Sequence, residues 1–471
     1  MLSLSPNRSV RRCSSFSSQF IFRSLLVIIF STLLLPGFLA SIAAPVWSPT
    51  RIKSASLQGA PARITAADDE LLEDLEHREF RYFWEQADTN TGLVLDRAQA
   101  DGAPSQARHL IPASIAATGF GLTAICIAAA RHWISREDAR ERIRATLRFF
   151  AERAPQEHGW FYHWLDQKTG ARVWQSEVSS IDTALLLAGI LTARQAFKTD
   201  AEIVRLANLI YDRVDFPWML NGSPTLLDHG WTPEKGFLPS RWDTYSEETL
   251  LYILAIGSRA HPISPDAWYA WARPAMAYAG FSYIGRGPLF THQYSEAWVD
   301  YRHRRENRGG HVDYFGNSIA ATRAHRAFCM SLAKKFPGYS GNIWGITASD
   351  SAKGYVAWGG PPPDPRIDGT VAPSAAGGSL MFTPDISLPA VRAMIELGKK
   401  GSCNRILGRY GLIDAFNPGT GWFDPDVIGI DVGITLLSAE NLRSGRVWQW
   451  FMANVEPRRA LDLIGLKLES R

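Results

Sequence analysis

The chain has 471 residues, with 50 lysines and arginines against 46 aspartates and glutamates and a formal charge of +4. The surplus lies in the first 43 residues, as Arg8, Arg11, Arg12 and Arg23, and without them basic and acidic residues number 46 each. A balanced chain of this size makes no electrostatic case for nucleic acid or an anionic membrane surface, and it is long enough to bury a large core.

Residues 1–43 set the four arginines ahead of an apolar run from Leu25 to Leu35, followed by small residues at Ala40, Ser41, Ala43 and Ala44 before Pro45. That order is the order of a secretory signal peptide, and the apolar run is short for a membrane span. A periplasmic or secreted protein is expected, with no membrane contact after cleavage. Residues 44–65 read as a flexible arm, and no linker long enough to separate two bodies interrupts the rest, so 66–471 is expected to form one domain.

From there helical signals dominate. Residues 67–87 carry acids in the first turn and bring Leu72, Leu75, Phe80, Phe83 and Trp84 near one face, an amphipathic pattern. Helices are expected also over 113–133, 136–153, 179–197, 199–213, 244–258, 266–279, 315–334, 388–398, 432–440 and 446–454. The loops between them, notably 155–176, 216–243, 335–387 and 411–431, are rich in Gly, Pro, Trp and Asp. About a dozen helices joined by long polar and aromatic loops, without a run of strands, indicate an all-α solenoid or toroid.

Cys13 belongs to the leader, and Cys126, Cys329 and Cys403 form no CxxC or Cys/His pattern. Neither a disulfide framework nor a structural zinc is expected. The histidines are scattered, with His109, His261 and His311 reading as loop or core residues, and no metal cluster is visible. Gly119-Phe120-Gly121 lies inside a helical segment rather than after a strand, so no nucleotide cofactor is expected.

Seventeen tryptophans are many, and they concentrate in the loops, among them Trp164, Trp174, Trp231, Trp242 and Trp422. Flat indoles beside carboxylates suit pyranose rings, which present apolar faces and polar rims, although packing between helices uses tryptophan too. Two acidic stretches lead into apolar helices: Glu177 to Asp182, and Asp243 to Glu248. Helix capping accounts for both equally well, through Thr244 with Glu247 and Ser179 with Asp182. For Glu247 a catalytic reading is open as well, because the like charges of Asp243 and Glu248 and the apolar bulk of Trp242 and Tyr245 would raise its carboxyl pKa.

At these residues the chain resembles the glucoamylase-like proteins that include glycoside hydrolase family 144, the bacterial endo-β-1,2-glucanases. The resemblance runs through Phe80-Arg81-Tyr82-Phe83-Trp84, Gly119-Phe120-Gly121, Trp164-Leu165-Asp166, Asp182-Thr183-Ala184-Leu185-Leu186 and Tyr245-Ser246-Glu247. It continues with Asn317-Ser318, Asp431 with Gly433, and Glu440-Asn441 through Trp448, covering nearly all of 70–457. It implies a single (α/α)6 barrel, inverting hydrolysis of β-1,2-glucan, no cofactor, and Glu247 as general acid. One departure is that Asp182 stands where the family carries Glu.

The acid assignment falls to Glu247, and the base to Asp182, then Asp431, Glu177 or Glu440. Substrate contacts are expected from Glu177, Trp174, Trp242, Tyr245, Asp313, Arg323 and Glu440, with no metal, no nucleic-acid partner and a monomeric chain. A non-catalytic glucan-binding homologue and a β-glucan transglycosylase are the alternatives.

Overall fold

In the computed structural model, residues 64–104, 111–400 and 403–469 are described. The proposed signal peptide, most of the arm and His109 lie outside them. The chain clusters into two units, Met1–Ser56 and Leu57–Arg471, and the described residues all belong to the second.

Thirteen helices occur among the described residues: α1 (Ala66–Glu85), α2 (Ile115–Ala130), α3 (Arg136–Glu152), α4 (Ser180–Ala196), α5 (Ala201–Arg213), α6 (Thr249–Gly257), α7 (Tyr294–Trp298), α8 (Tyr314–Leu332), α9 (Pro373–Gly377), α10 (Pro384–Gly398), α11 (Gly429–Arg443), α12 (Arg446–Met452) and α13 (Val455–Leu463). Burial separates them into two layers. In α2, 15 of 16 residues are buried, α6, α7 and α9 are buried throughout, and α4 and α11 nearly so. By contrast α1, α3, α5, α10 and α13 each bury one stripe and expose the other. Buried helices inside amphipathic ones make the (α/α)6 toroid, as the resemblance implied. None of the described helices is long and apolar enough to cross a membrane.

The inner helices are entered through very short strands. Ala113–Ser114 leads into α2 and pairs with Val94–Leu95 and Trp164–Leu165. Val178–Ser179 leads into α4 and pairs with Gly230–Thr232, and Asp426–Ile428 leads into α11 and pairs with Arg97–Gln99. Ser114 and Ser179 then cap the helices they precede. These strands gather the loops around the starts of the inner helices, which form one mouth. At the far end of α4, Arg194 reaches Glu456 at 2.5 Å and Asn454 at 2.9 Å at the start of α13, closing the ring there.

Three expectations need correction. Thr65 belongs to the fold rather than the arm, since its hydroxyl and Asp68 form a complete capping box on α1. Residues 266–279 are not a helix: Pro265–Tyr269 makes a 3-10 turn, and Ala275–Tyr278 then pairs with Phe281–Ile284 across Ala279 and Gly280, both at positive φ. Pro274 breaks the run, and that pair of positive φ angles makes a tight hairpin turn. Finally α6 starts at Thr249, not at residue 244, so Thr244 and Glu247 form no capping box; the Thr244 hydroxyl donates to Asp243 at 3.0 Å instead.

Candidate active site

Glu247 sits in the turn just ahead of α6, freed from the capping role its sequence suggested. Ser295 of α7 fixes this turn: its hydroxyl donates to the Glu247 carbonyl at 2.5 Å and accepts the Leu250 N–H at 2.9 Å. The Ser246 hydroxyl donates to the Glu247 carboxylate. Burial pushes the Glu247 carboxyl up, the Ser246 hydrogen bond opposes it, and the charge of Asp182 adds to the rise, leaving it above the ordinary carboxylate range. Glu248 is fully buried beside it and pushed further up by burial and by Glu247.

Asp182, in the first turn of α4, is held by both oxygens. Ser179 donates to Oδ2 at 2.5 Å, and His163 Nε2 lies 3.6 Å from Oδ1. The other ring nitrogen of His163 meets Glu177 at 2.9 Å. Burial would depress the imidazole, but Asp182 and Glu177 outweigh it and push it up to about 9. In return, the His163 hydrogen bond and charge overcome burial at Glu177 and hold that carboxyl below its usual value. Trp164 stacks on His163 at 4.0 Å, and Trp174, 54% exposed, stands edge-on to Trp164 at 6.0 Å. A solvent-facing indole on a rigid aromatic stack is a platform for a sugar ring.

Asp431, in the first turn of α11, lines a cavity with Glu79, Ser374, Asp414 and Thr435. Burial pushes its carboxyl up to about 7, against hydrogen bonding from Asp414 and Ser374. Tyr294 joins the two regions, because after burial its hydroxyl feels Asp431, Tyr355, Glu247 and Asp414. The starts of α4, α6 and α11 thus deliver Asp182, Glu247 and Asp431 to the same mouth.

The remaining candidates divide. Trp242 is 8% exposed and stacks on His229 at 4.1 Å, with its indole N–H donating to Ser180 at 2.8 Å, so it braces the loop ahead of α6 against α4. Tyr245 is 3% exposed, with its hydroxyl 3.3 Å from His292 and its ring packed among Trp271, His292 and Tyr314. These two serve the wall rather than a sugar face. Asp313 caps α8, accepting the Gly316 N–H at 2.8 Å, with Arg305 at 3.7 Å. Arg323 is corrected: its Nη2 pairs with both carboxylate oxygens of Asp385, at 2.9 and 3.0 Å, on the outside of the fold. Glu440 is corrected as well. It lies nine residues along α11 from Asp431, about 13 Å at 1.5 Å per residue, and is bound by Arg131 at 2.6 Å, Arg446 at 2.9 Å and Ser444 at 2.5 Å.

Sequence reasoning missed His163, whose meaning lies in two carboxylates 14 and 19 positions further on, although its setting between Tyr162 and Trp164 was a signal. It also missed two groups whose oxygens and nitrogens converge within 4.8 Å, His163 with Glu177 and Asp182, and Asp350 with Asp414 and Asp424. In the first group the acids are already satisfied by His163 and Ser179.

Several known proteins resemble this chain as a whole. The Glycoamylase family model, described as "Putative glucoamylase", matches residues 239–455. A curated exo beta-1,2-glucooligosaccharide sophorohydrolase (non-reducing end) of Parabacteroides distasonis is 29% identical over 441 residues, covering 84% of this chain and 58% of that protein. The chain therefore spans little more than half the length of that relative. An endo-beta-1,2-glucanase of Chitinophaga pinensis, solved with sophorotriose and glucose, superposes with a TM-score of 0.77 at 28% identity, over 86% of this chain and 99% of that one. A beta-1,2-glucanase of Parabacteroides distasonis gives 0.75 at 27%, over 86% and 60% of the two chains. The resemblance to glucoamylase-like proteins, endo-β-1,2-glucanases among them, holds in sequence and in fold.

Proposed function

We propose that the protein is an exported glycoside hydrolase that cleaves β-glucan, β-1,2-glucan before other linkages, with inversion at the anomeric carbon. The observation that carries this reading is the pairing of Glu247, whose carboxyl is held above its ordinary value, with Asp182, the carboxylate whose charge helps to hold it there. A carboxyl held above its ordinary value is better suited to protonate a glycosidic oxygen, and a neighbouring carboxylate can draw a proton from water on the opposite face. Inversion needs about 6.5–9.5 Å between the two to admit that water. Ser179 and His163 fix the direction of Asp182, and the Trp174 and Trp164 platform supplies a subsite for the chain. The β-1,2-glucan activities named for the Parabacteroides and Chitinophaga relatives support the substrate.

Asp431 is a second reading for the base. It lines the cavity, and a carboxyl held at about 7 is well matched to accepting a proton at neutral pH.

The test incubates the mature chain with linear β-1,2-, β-1,3-, β-1,4- and α-1,4-glucans. Glu247→Gln is expected to lose about 100- to 10,000-fold in kcat on β-1,2-glucan while still binding oligosaccharide. Near-full activity in that variant would remove the acid assignment, and binding without turnover in the wild type would favour a receptor. Asp182→Asn and Asp431→Asn compared side by side identify the base, and the anomer released first, read by NMR, decides inversion.

A further inference from the structure

Asp350, Asp414 and Asp424 come from three separate segments, and one carboxylate oxygen of each lies within 4.8 Å of the other two. Asp350 follows the strand Ala348–Ser349, which pairs with Val356–Ala357. Asp414 and Asp424 flank the hairpin of Phe416–Asn417 and Trp422–Phe423. Backbone bonds hold the three in register: Asp350 N–H donates to Asp414 Oδ2 at 2.6 Å, Asp414 N–H to the Asp426 carbonyl at 3.1 Å, and Asp426 N–H to Asp424 Oδ1 at 3.0 Å.

A second observation shows that this cluster is incomplete. Asp424 is 6% exposed, yet its Oδ2 has no hydrogen-bond partner among the described residues, and Asp414, 2% exposed, has none on Oδ1 apart from the Asp431 carboxyl beside it. An orphaned carboxylate oxygen out of water is costly and calls for a counter-charge. Arg97 contributes one, but its guanidinium is directed to Asp350 at 2.6 Å and Asp96 at 3.4 Å.

We propose that Asp350, Asp414 and Asp424 bind one divalent cation of the calcium class. Three carboxylates without nitrogen or sulfur donors select a hard cation. Oxygens no more than 4.8 Å apart are close enough to share one ion at Ca–O bonds of about 2.4 Å. With three protein carboxylates, the other positions fall to backbone carbonyls and water, which sets the affinity in the micromolar to millimolar range. The bound ion ties the Ala348–Ala357 hairpin, which carries the half-exposed Tyr355, to the turn beside α11, and neutralises Asp414 next to Asp431. This proposal does not depend on the hydrolytic reading.

The test uses the mature chain stripped with EDTA and desalted, titrated with CaCl2, then MgCl2 and MnCl2, against NaCl at matched ionic strength. Calorimetry is expected to show about one calcium site per chain, and thermal denaturation a rise in Tm of several degrees. Asp424→Asn, with folding checked by circular dichroism, is expected to weaken calcium binding at least roughly tenfold. Terbium luminescence sensitised by nearby aromatic rings and displaced by calcium gives a second readout should that variant be unstable. No heat, no terbium signal and no Tm change with any of the three cations at millimolar concentration would overturn the proposal. So would an Asp424→Asn protein that binds calcium as the wild type does, or a Tm that responds to acidification but to no cation.

Discussion

Asp431 keeps its proton several pH units beyond an aspartate in water, because burial outweighs the hydrogen bonds it receives. Its unfolded value is near 3.8 and its folded value about 7, so between these the folded chain holds a proton that the unfolded chain has released. Stability from this group is therefore complete below about pH 4 and drains away as pH rises to about 7. Asp431→Asn removes that drain, and its Tm is expected to fall less than the wild type's between pH 4 and 7 in a series of thermal melts; parallel curves would show that Asp431 does not titrate in this window. Asp182 and Glu247 stood out in the sequence as acids leading into apolar helices, and Asp431 through the family resemblance. His163, Asp350 and Asp414 did not, since their character comes from partners that only folding brings close.

At the scale of elements, the ring is tightest where α2 crosses α4. A β-carbon on Gly189 would stand 2.1 Å from the Gly119 carbonyl oxygen, and one on Gly119 2.3 Å from that of Leu185, so the two backbones touch and leave no space for a methyl group. Gly189→Ala must push the helices apart. It is expected to cost about 1–3 kcal/mol, read from the urea midpoint, and to lower activity by moving Asp182 at the head of the same helix. An unchanged midpoint would mean that the crossing yields without strain. Existence and approximate bounds of α1, α3 and α5 followed from their apolar stripes. α2, α4 and α6 are buried nearly throughout and leave little exposed face to mark their ends, which explains why the start of α6 was misplaced. The expected helix over 266–279 likewise took in the first strand of the hairpin at 275–284.

Across the whole molecule no repeat in the sequence disclosed the ring; the (α/α)6 architecture was legible through resemblance and then through the two layers of burial. What neither revealed is how unevenly the ring treats its buried acids. At the closed end Glu440 meets Arg131 and Arg446, Glu76 meets Arg131 and Arg443, and Glu456 meets Arg194. At the mouth, Asp96, Asp350, Asp414, Asp424 and Asp426 crowd around Arg97, with Asp431 beside Asp414. On the proposed hydrolytic reading, such a lining would sort incoming chains by charge. A neutral glucan would enter without electrostatic penalty, whereas a chain decorated with phosphate or sulfate esters would meet repulsion from those carboxylates that neither a proton nor a cation neutralises, a repulsion that salt screens over a Debye length of about 8–10 Å. Turnover of the esterified chain is expected to recover steeply between low and moderate ionic strength while that of the plain chain stays level, and equal salt dependence in a paired kinetic assay would deny the mouth this sorting role.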